Sequence, residues 1–178
     1  MLAEMATNDL KIRVVRAVQS LLDNDAELLE ADVNERTLTH RIGVYLDAEF
    51  PGRNVDCEYN RNGDSPKRLN VVEPQRILSD DENARTVFPD IIVHRRRSNE
   101  HNLVVIEAKK SSDPRGKRRD WKKLEAFRVQ YRYELAVFVL LHVAGGGGAA
   151  EVTFWPRCAQ REAPVQLQSK HPGPLSSA

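Results

Sequence analysis

The sequence predicts an α/β domain, a mixed β-sheet flanked by helices, and three observations predict it. Apolar residues recur at helical spacing through the first fifty positions. Short β-rich runs occupy the middle of the chain and recur near its end. Between them lies a further amphipathic helix, so helices and strands must pack as layers. At 178 residues, 40% hydrophobic and 30% charged, the chain has the length and apolar content of one soluble domain with a core of its own. The expected organisation is one domain over residues 1–160, with a helix at 10–30 packed on it, and a flexible tail over 161–178 rich in Pro, Ser and Gln.

Each element has its own signal. Leu10, Val14, Val18, Leu21 and Leu22 form one stripe of a first helix. A second helix starts with Asp32 as N-cap and Glu35 three residues on. Leu38, Ile42, Tyr45 and Leu46 are its apolar face, and Pro51-Gly52 ends it. Residues 54–60 alternate as a strand does, and 61–86, punctuated by Gly63, Ser65, Pro66 and Pro74, form a long loop. Asp90–His94 and Leu103–Lys109 are β-rich runs around the polar segment RRRSNEHN, the pattern of a hairpin. From Asp120 to Tyr133, Trp121, Leu124, Phe127 and Tyr131 share one face of a basic helix, a stripe that marks them as core. Leu135–Val143 follows as a buried strand, Gly145–Gly148 as a turn and Glu151–Trp155 as a last, edge strand.

Several classes are excluded. The longest apolar run, Leu135–Ala144, falls far short of the roughly 20 residues that span a bilayer. The first residues lack the apolar segment and cleavage site of a secretory signal, so a cytoplasmic location is expected. Cys57 and Cys158 stand alone, which argues against a zinc cluster or a disulfide framework and predicts two free thiols. The net charge of +1 hides an asymmetry: residues 1–35 hold eight acids and three bases, a net −5, whereas residues 109–132 hold ten bases and three acids, a net +7. A polyanion would meet the second segment.

The chemistry centres on the hairpin. Side chains alternate across a strand, so Glu107 and Lys109 share a face while Ala108 points away. A turn centred between Ser98 and Asn99 sets Asp90 opposite Glu107 and Ile92 opposite Val105. Two carboxylates then converge with a lysine one pleat away. Such acids repel unless a divalent cation lies between them. A hard ion, Mg²⁺ or Mn²⁺, needs few protein ligands, and Asp90, Glu107 and the Ala108 carbonyl suffice. An ion that polarises a phosphoryl oxygen, beside an ammonium that steadies the attacking or developing charge, is what phosphodiester hydrolysis requires.

Phe88-Pro89-Asp90 followed by Glu107-Ala108-Lys109 at the end of an apolar strand resembles the PD-(D/E)XK nuclease superfamily, to which restriction endonucleases and many repair and defence nucleases belong. The resemblance spans roughly residues 33–143. It implies a restriction-endonuclease-like fold in which Asp90 and Glu107 bind Mg²⁺, Lys109 positions or activates water, and Glu35 approaches the ion from its helix. It also implies 5′-phosphate and 3′-hydroxyl products. Gln130 is the candidate for the glutamine that many members carry on the following helix, but Tyr131-Arg132-Tyr133-Glu134 does not complete their pattern. The expected substrate is nucleic acid, with DNA favoured, and cutting both strands would call for a homodimer or a larger complex.

Competing readings stand beside these. Charged residues at strand ends are most often simply solvated. An Asp32-x-x-Glu35 capping box accounts for Glu35 without a metal. The basic run could serve only solubility, although its place after the proposed site favours phosphate contact through Lys110, Arg118, Lys122 and Lys123. Arg95, Arg96 and Arg97 belong to an exposed turn, and His40 and His94 are structural. The rival functions are a catalytically inactive nucleic-acid-binding module of the same fold and a protein-interaction subunit of a larger nuclease.

Overall fold

A computed structural model describes residues 2–59, 61–62, 65–66, 88–98, 100–113, 115–143, 148–157 and 159–170. Its elements in chain order are α1 (Leu2–Asn24), α2 (Ala26–Glu30), α3 (Glu35–Glu49), β1 (Asn54–Cys57), β2 (Arg61–Asn62), β3 (Ser65–Pro66), β4 (Ile91–His94), β5 (Val104–Lys110), α4 (Lys117–Gln130), β6 (Leu135–His142), β7 (Ala149–Pro156) and β8 (Val165–Gln168). Six strands form one sheet in the order β1-β4-β5-β6-β7-β8, and β2 pairs with β3 apart from it. Only the β5–β6 pair is parallel, because α4 carries the chain back between them; every other neighbour in the sheet is antiparallel. The architecture is therefore α/β, a six-stranded mixed sheet flanked by helices.

Alternation along the strands divides the core in two. Ile91, Val93, Val104, Ile106, Val137, Val139, Val152 and Phe154 pack under the α1 stripe (Leu10, Val14, Val18, Leu21, Leu22) and under Leu38, Ile42 and Leu46 of α3. Ile92, Val105, Ala136 and Phe138 face the other way, against Leu124 and Phe127 of α4 and Tyr133. The hairpin has the expected register: Ile91 faces Ile106, Ile92 faces Val105 and Val93 faces Val104. Among the described residues no helix is long and apolar enough to cross a membrane.

The structure corrects four expectations. The first helix begins well before Leu10 and breaks at Asp25, with α2 as a separate turn. The N-cap of α3 is Asn34, whose side chain accepts the Arg36 N–H at 2.9 Å. Asp32 takes a left-handed φ of +46° instead, outside the conformation a capping residue needs, and binds Lys110. Third, β7 is not an edge: Val165–Gln168, in the expected tail, pairs with it as β8. This strand is mostly exposed and only four residues long, so its Val-Gln-Leu-Gln alternation is a weak signal. Its hold comes from the β7 edge and from α1, through Lys11 to Glu162 and Gln19 to the Gln168 carbonyl. Fourth, the first strand stops at Cys57, and most of the expected loop, residues 67–86, lies outside the described residues, as do Cys158 and residues 144–147.

Candidate active site at the end of the central hairpin

The antiparallel β4–β5 ladder ends at the Ile91–Ile106 pair while β5 runs on to Lys110, and just past that end Asp90 reaches β5 with its side chain. Asp90 Oδ2 accepts the Ala108 N–H at 2.8 Å, and the Asp90 N–H makes a longer contact, 3.4 Å, to Glu107 Oε1. The two carboxylates thus meet across the register that the strand pairing sets. A strand residue directs its N–H and C=O to the same edge, so the Ala108 carbonyl leaves β5 on the side of Asp90.

Glu107 and Lys109 share the parity of Val105 and face α4. Helix α4 answers with Asp120 and Lys123, one turn apart. Lys123 Nζ sits 2.8 Å from Glu107 Oε2, with side chains 15% and 3% exposed. Lys109 Nζ lies 3.6 Å from Asp120 Oδ2 and 3.5 Å from Glu35 Oε1. Glu35 Oε2 in turn accepts the Lys110 N–H at 3.2 Å. Because Glu35 is the first residue of α3 and Asn34 provides the cap, its carboxylate is turned to β5 rather than spent on a capping box.

Among the described residues, four carboxylates (Glu35, Asp90, Glu107, Asp120) thus surround two ammonium groups, Lys109 and Lys123. Two negative charges exceed the local supply of cations. Their effect shows in the titration of Glu107, Asp90 and Lys109. Burial, followed by the Asp90 charge, pushes Glu107 well above the usual glutamate range despite Lys123. Burial also raises Asp90, with Glu35 and Asp120 adding to it against the Ala108 N–H and Lys123. Burial works against the charge of Lys109, but Asp120 and Glu35 outweigh it and hold the ammonium above the usual lysine range.

The other expected site residues are distributed differently. Lys110 and Lys123 are not free phosphate contacts: Lys110 Nζ is fixed by Asp32 Oδ1 at 2.7 Å and the Val33 carbonyl at 2.8 Å, and Lys123 by Glu107, each side chain only 15% exposed. Arg118 and Lys122 are exposed on α4. Gln130 ends α4, seven residues or about 10 Å of helix beyond Lys123, and so does not join the cluster. His94 is buried beside Asp56 at 2.8 Å, a structural pair to which Arg96 also contributes. Asp120 is the residue the sequence reading missed as a member of the site. Its signal was present: it stands four and seven residues before Leu124 and Phe127, the buried residues of α4.

Among the described residues no three His, Cys, Asp or Glu side chains converge as a ready-made metal cage. Comparison of the chain with protein-family models, with curated proteins and with solved structures returned no match.

Proposed function

We propose that this protein is a metal-dependent nuclease of the PD-(D/E)XK type, with a restriction-endonuclease-like fold, hydrolysing phosphodiester bonds in nucleic acid, DNA being favoured. The observation that carries the reading is the pair formed by half-buried Asp90 and buried Glu107, adjoining strand ends with Lys109 on the same face and more carboxylates than ammonium groups nearby.

The donor set fits a hard divalent cation. Mg²⁺ or Mn²⁺ takes oxygen ligands and keeps several waters, so two carboxylates and a carbonyl are enough without a third acid. Asp90, Glu107 and the Ala108 carbonyl would hold it, with Glu35 supporting from α3. When bound, the ion would supply neutralisation of a phosphoryl oxygen and a more acidic water. Lys123 already meets Glu107 Oε2, which leaves Oε1 and its long backbone contact for coordination. Lys109 keeps its proton, so it donates to the attacking oxygen or to the charge that develops on phosphorus-bound oxygen. Asp120 and Glu35 position that ammonium from two sides.

The Lys123–Glu107 contact also favours a second reading, a non-catalytic nucleic-acid-binding or protein-interaction module in which lysine permanently replaces the metal. Cleavage of DNA by the parent protein in Mg²⁺ separates the two, and replacing Lys109 by Ala then tests the role given to that lysine. The nuclease reading expects cleavage to fall by about 10²–10³-fold with DNA affinity retained. Loss of binding and cleavage together would contradict the role assigned to Lys109.

A further inference from the structure

On the flank of α4 turned toward β6 and β7, Arg118, Trp121, Lys122, Glu125, Trp155 and Arg161 line an open cleft of about 420 Å³. Its floor is aromatic. The rings of Trp121 and Trp155 lie 6.1 Å apart at 64°, and Trp121 meets Phe138 edge-on at 6.0 Å. Its rim is cationic. The Arg161 guanidinium lies 4.5 Å from the Trp121 ring centre and 5.8 Å from that of Trp155, and Lys117 Nζ is 5.3 Å from Trp121.

The rim's one acid does not cancel this charge, because Arg128 grips Glu125 through two contacts of 2.5 and 3.0 Å. Arg118 and Lys122 are exposed and have no ion-pair partner among the described residues. The Trp121 indole N–H is buried without a hydrogen-bond partner among the described residues. Aromatic faces beside exposed cations match a nucleobase joined to its phosphate.

We infer that this cleft binds an unpaired base of a single-stranded nucleic acid, the base stacking on Trp121 and Trp155 and its phosphates held by Arg118, Lys122 and Arg161. Arg161 is exposed, and its guanidinium exchanges the indole face for a phosphate when the base arrives. Duplex DNA keeps its base faces covered and cannot use the floor, so the cleft selects single strands or frayed ends. Asp120 and Lys123 face the carboxylate pair while Trp121 and Lys122 face the cleft. At 100° per residue the two therefore leave opposite flanks of one helix, separated by about a helix diameter, roughly 10–12 Å. The inference rests on nucleic acid as the substrate, but not on the metal chemistry.

Trp121 and Trp155 are the only two tryptophans of the chain, so its intrinsic fluorescence reports on this cleft. The full chain is titrated in EDTA with a 12-residue oligothymidine, a duplex of equal length, and heparin as a polyanion without bases. Oligothymidine should quench the emission strongly, and duplex and heparin weakly. Replacing Arg118 and Lys122 together by Ala, both exposed and remote from the core, should weaken oligothymidine binding by about 5- to 100-fold. Trp155→Leu should abolish most of the quenching. Equal quenching by duplex, no quenching by oligothymidine, or unchanged affinity in the double variant would overturn the inference. Cleavage is followed in parallel with Mg²⁺: quenching without cleavage keeps the cleft and removes the nuclease reading, and cleavage without quenching does the reverse.

Discussion

Alternate residues of β5 enter opposite environments. Val104, Ile106 and Ala108 join the apolar core under α1 and α3, whereas Val105, Glu107 and Lys109 face α4, where apolar packing gives way to charge. One strand thus supplies both a stable foundation and a charged surface. The difference teaches where the fold can carry strain: four clustered carboxylates are costly, and the dry face opposite offsets them. Helix α4 belongs to both worlds, with Leu124 and Phe127 anchoring it while Asp120 reaches Lys109 and Lys123 reaches Glu107.

The largest expected effect comes from removing the cation of the charged face. Lys123→Met leaves Glu107 buried with its nearest positive charge gone, and stability measured by denaturation in EDTA should fall by about 3–5 kcal/mol. Saturating Mn²⁺ should return part of that loss, since an ion held by Asp90 and Glu107 takes over the neutralisation; an unaltered deficit would argue that no ion binds there.

On the dry face the cost should be metal-independent. Leu21 is fully buried in α1, and Leu21→Ala should cost about 2–5 kcal/mol in both EDTA and Mn²⁺. A metal-dependent difference would mean that the two faces are not the separate systems described here.

The smallest effect has the opposite sign. Asp90 has a folded-state pKa above its ordinary value, so the fold favours its protonated form. Its contribution to stability is greatest in acid and declines as pH rises from the ordinary carboxylate range through the folded pKa. Asp90→Asn keeps an acceptor for the Ala108 N–H and removes the charge. Its melting temperature at neutral pH should therefore rise slightly, by about 2–4 °C for each kcal/mol gained, while cleavage disappears. A variant that melts lower than the parent would show that the acid pair is not a source of strain.

The hairpin register was legible because two independent constraints agree: the middle of the polar loop and the pairing of Ile92 with Val105. Asp90, Glu107 and Lys109 could therefore be placed on one face before any coordinates. The partner of each lysine could not be read in the same way. Lys110 and Lys123 differ little in sequence from Arg118 and Lys122, and only tertiary contacts decide that the first two are claimed by Asp32 and Glu107. The choice of Asn34 over Asp32 as cap has the same origin, since the Lys110 contact holds Asp32 in a conformation that cannot cap. The strand β8 did carry a weak signal, the Val165-Gln166-Leu167-Gln168 alternation with Leu167 on the core side, but four mostly exposed residues inside a Pro-, Ser- and Gln-rich stretch are too short a run to stand out.

The central claim, that the Asp90–Glu107 pair is a metal-dependent phosphodiesterase site, is tested most directly by incubating the pure protein with plasmid, linear duplex and single-stranded DNA. Each is exposed to Mg²⁺, Mn²⁺ or EDTA, beside an Asp90→Ala control. The account predicts cleavage that requires the ion and vanishes in the variant. No cleavage of any substrate, or cleavage that persists in EDTA or in Asp90→Ala, would contradict it.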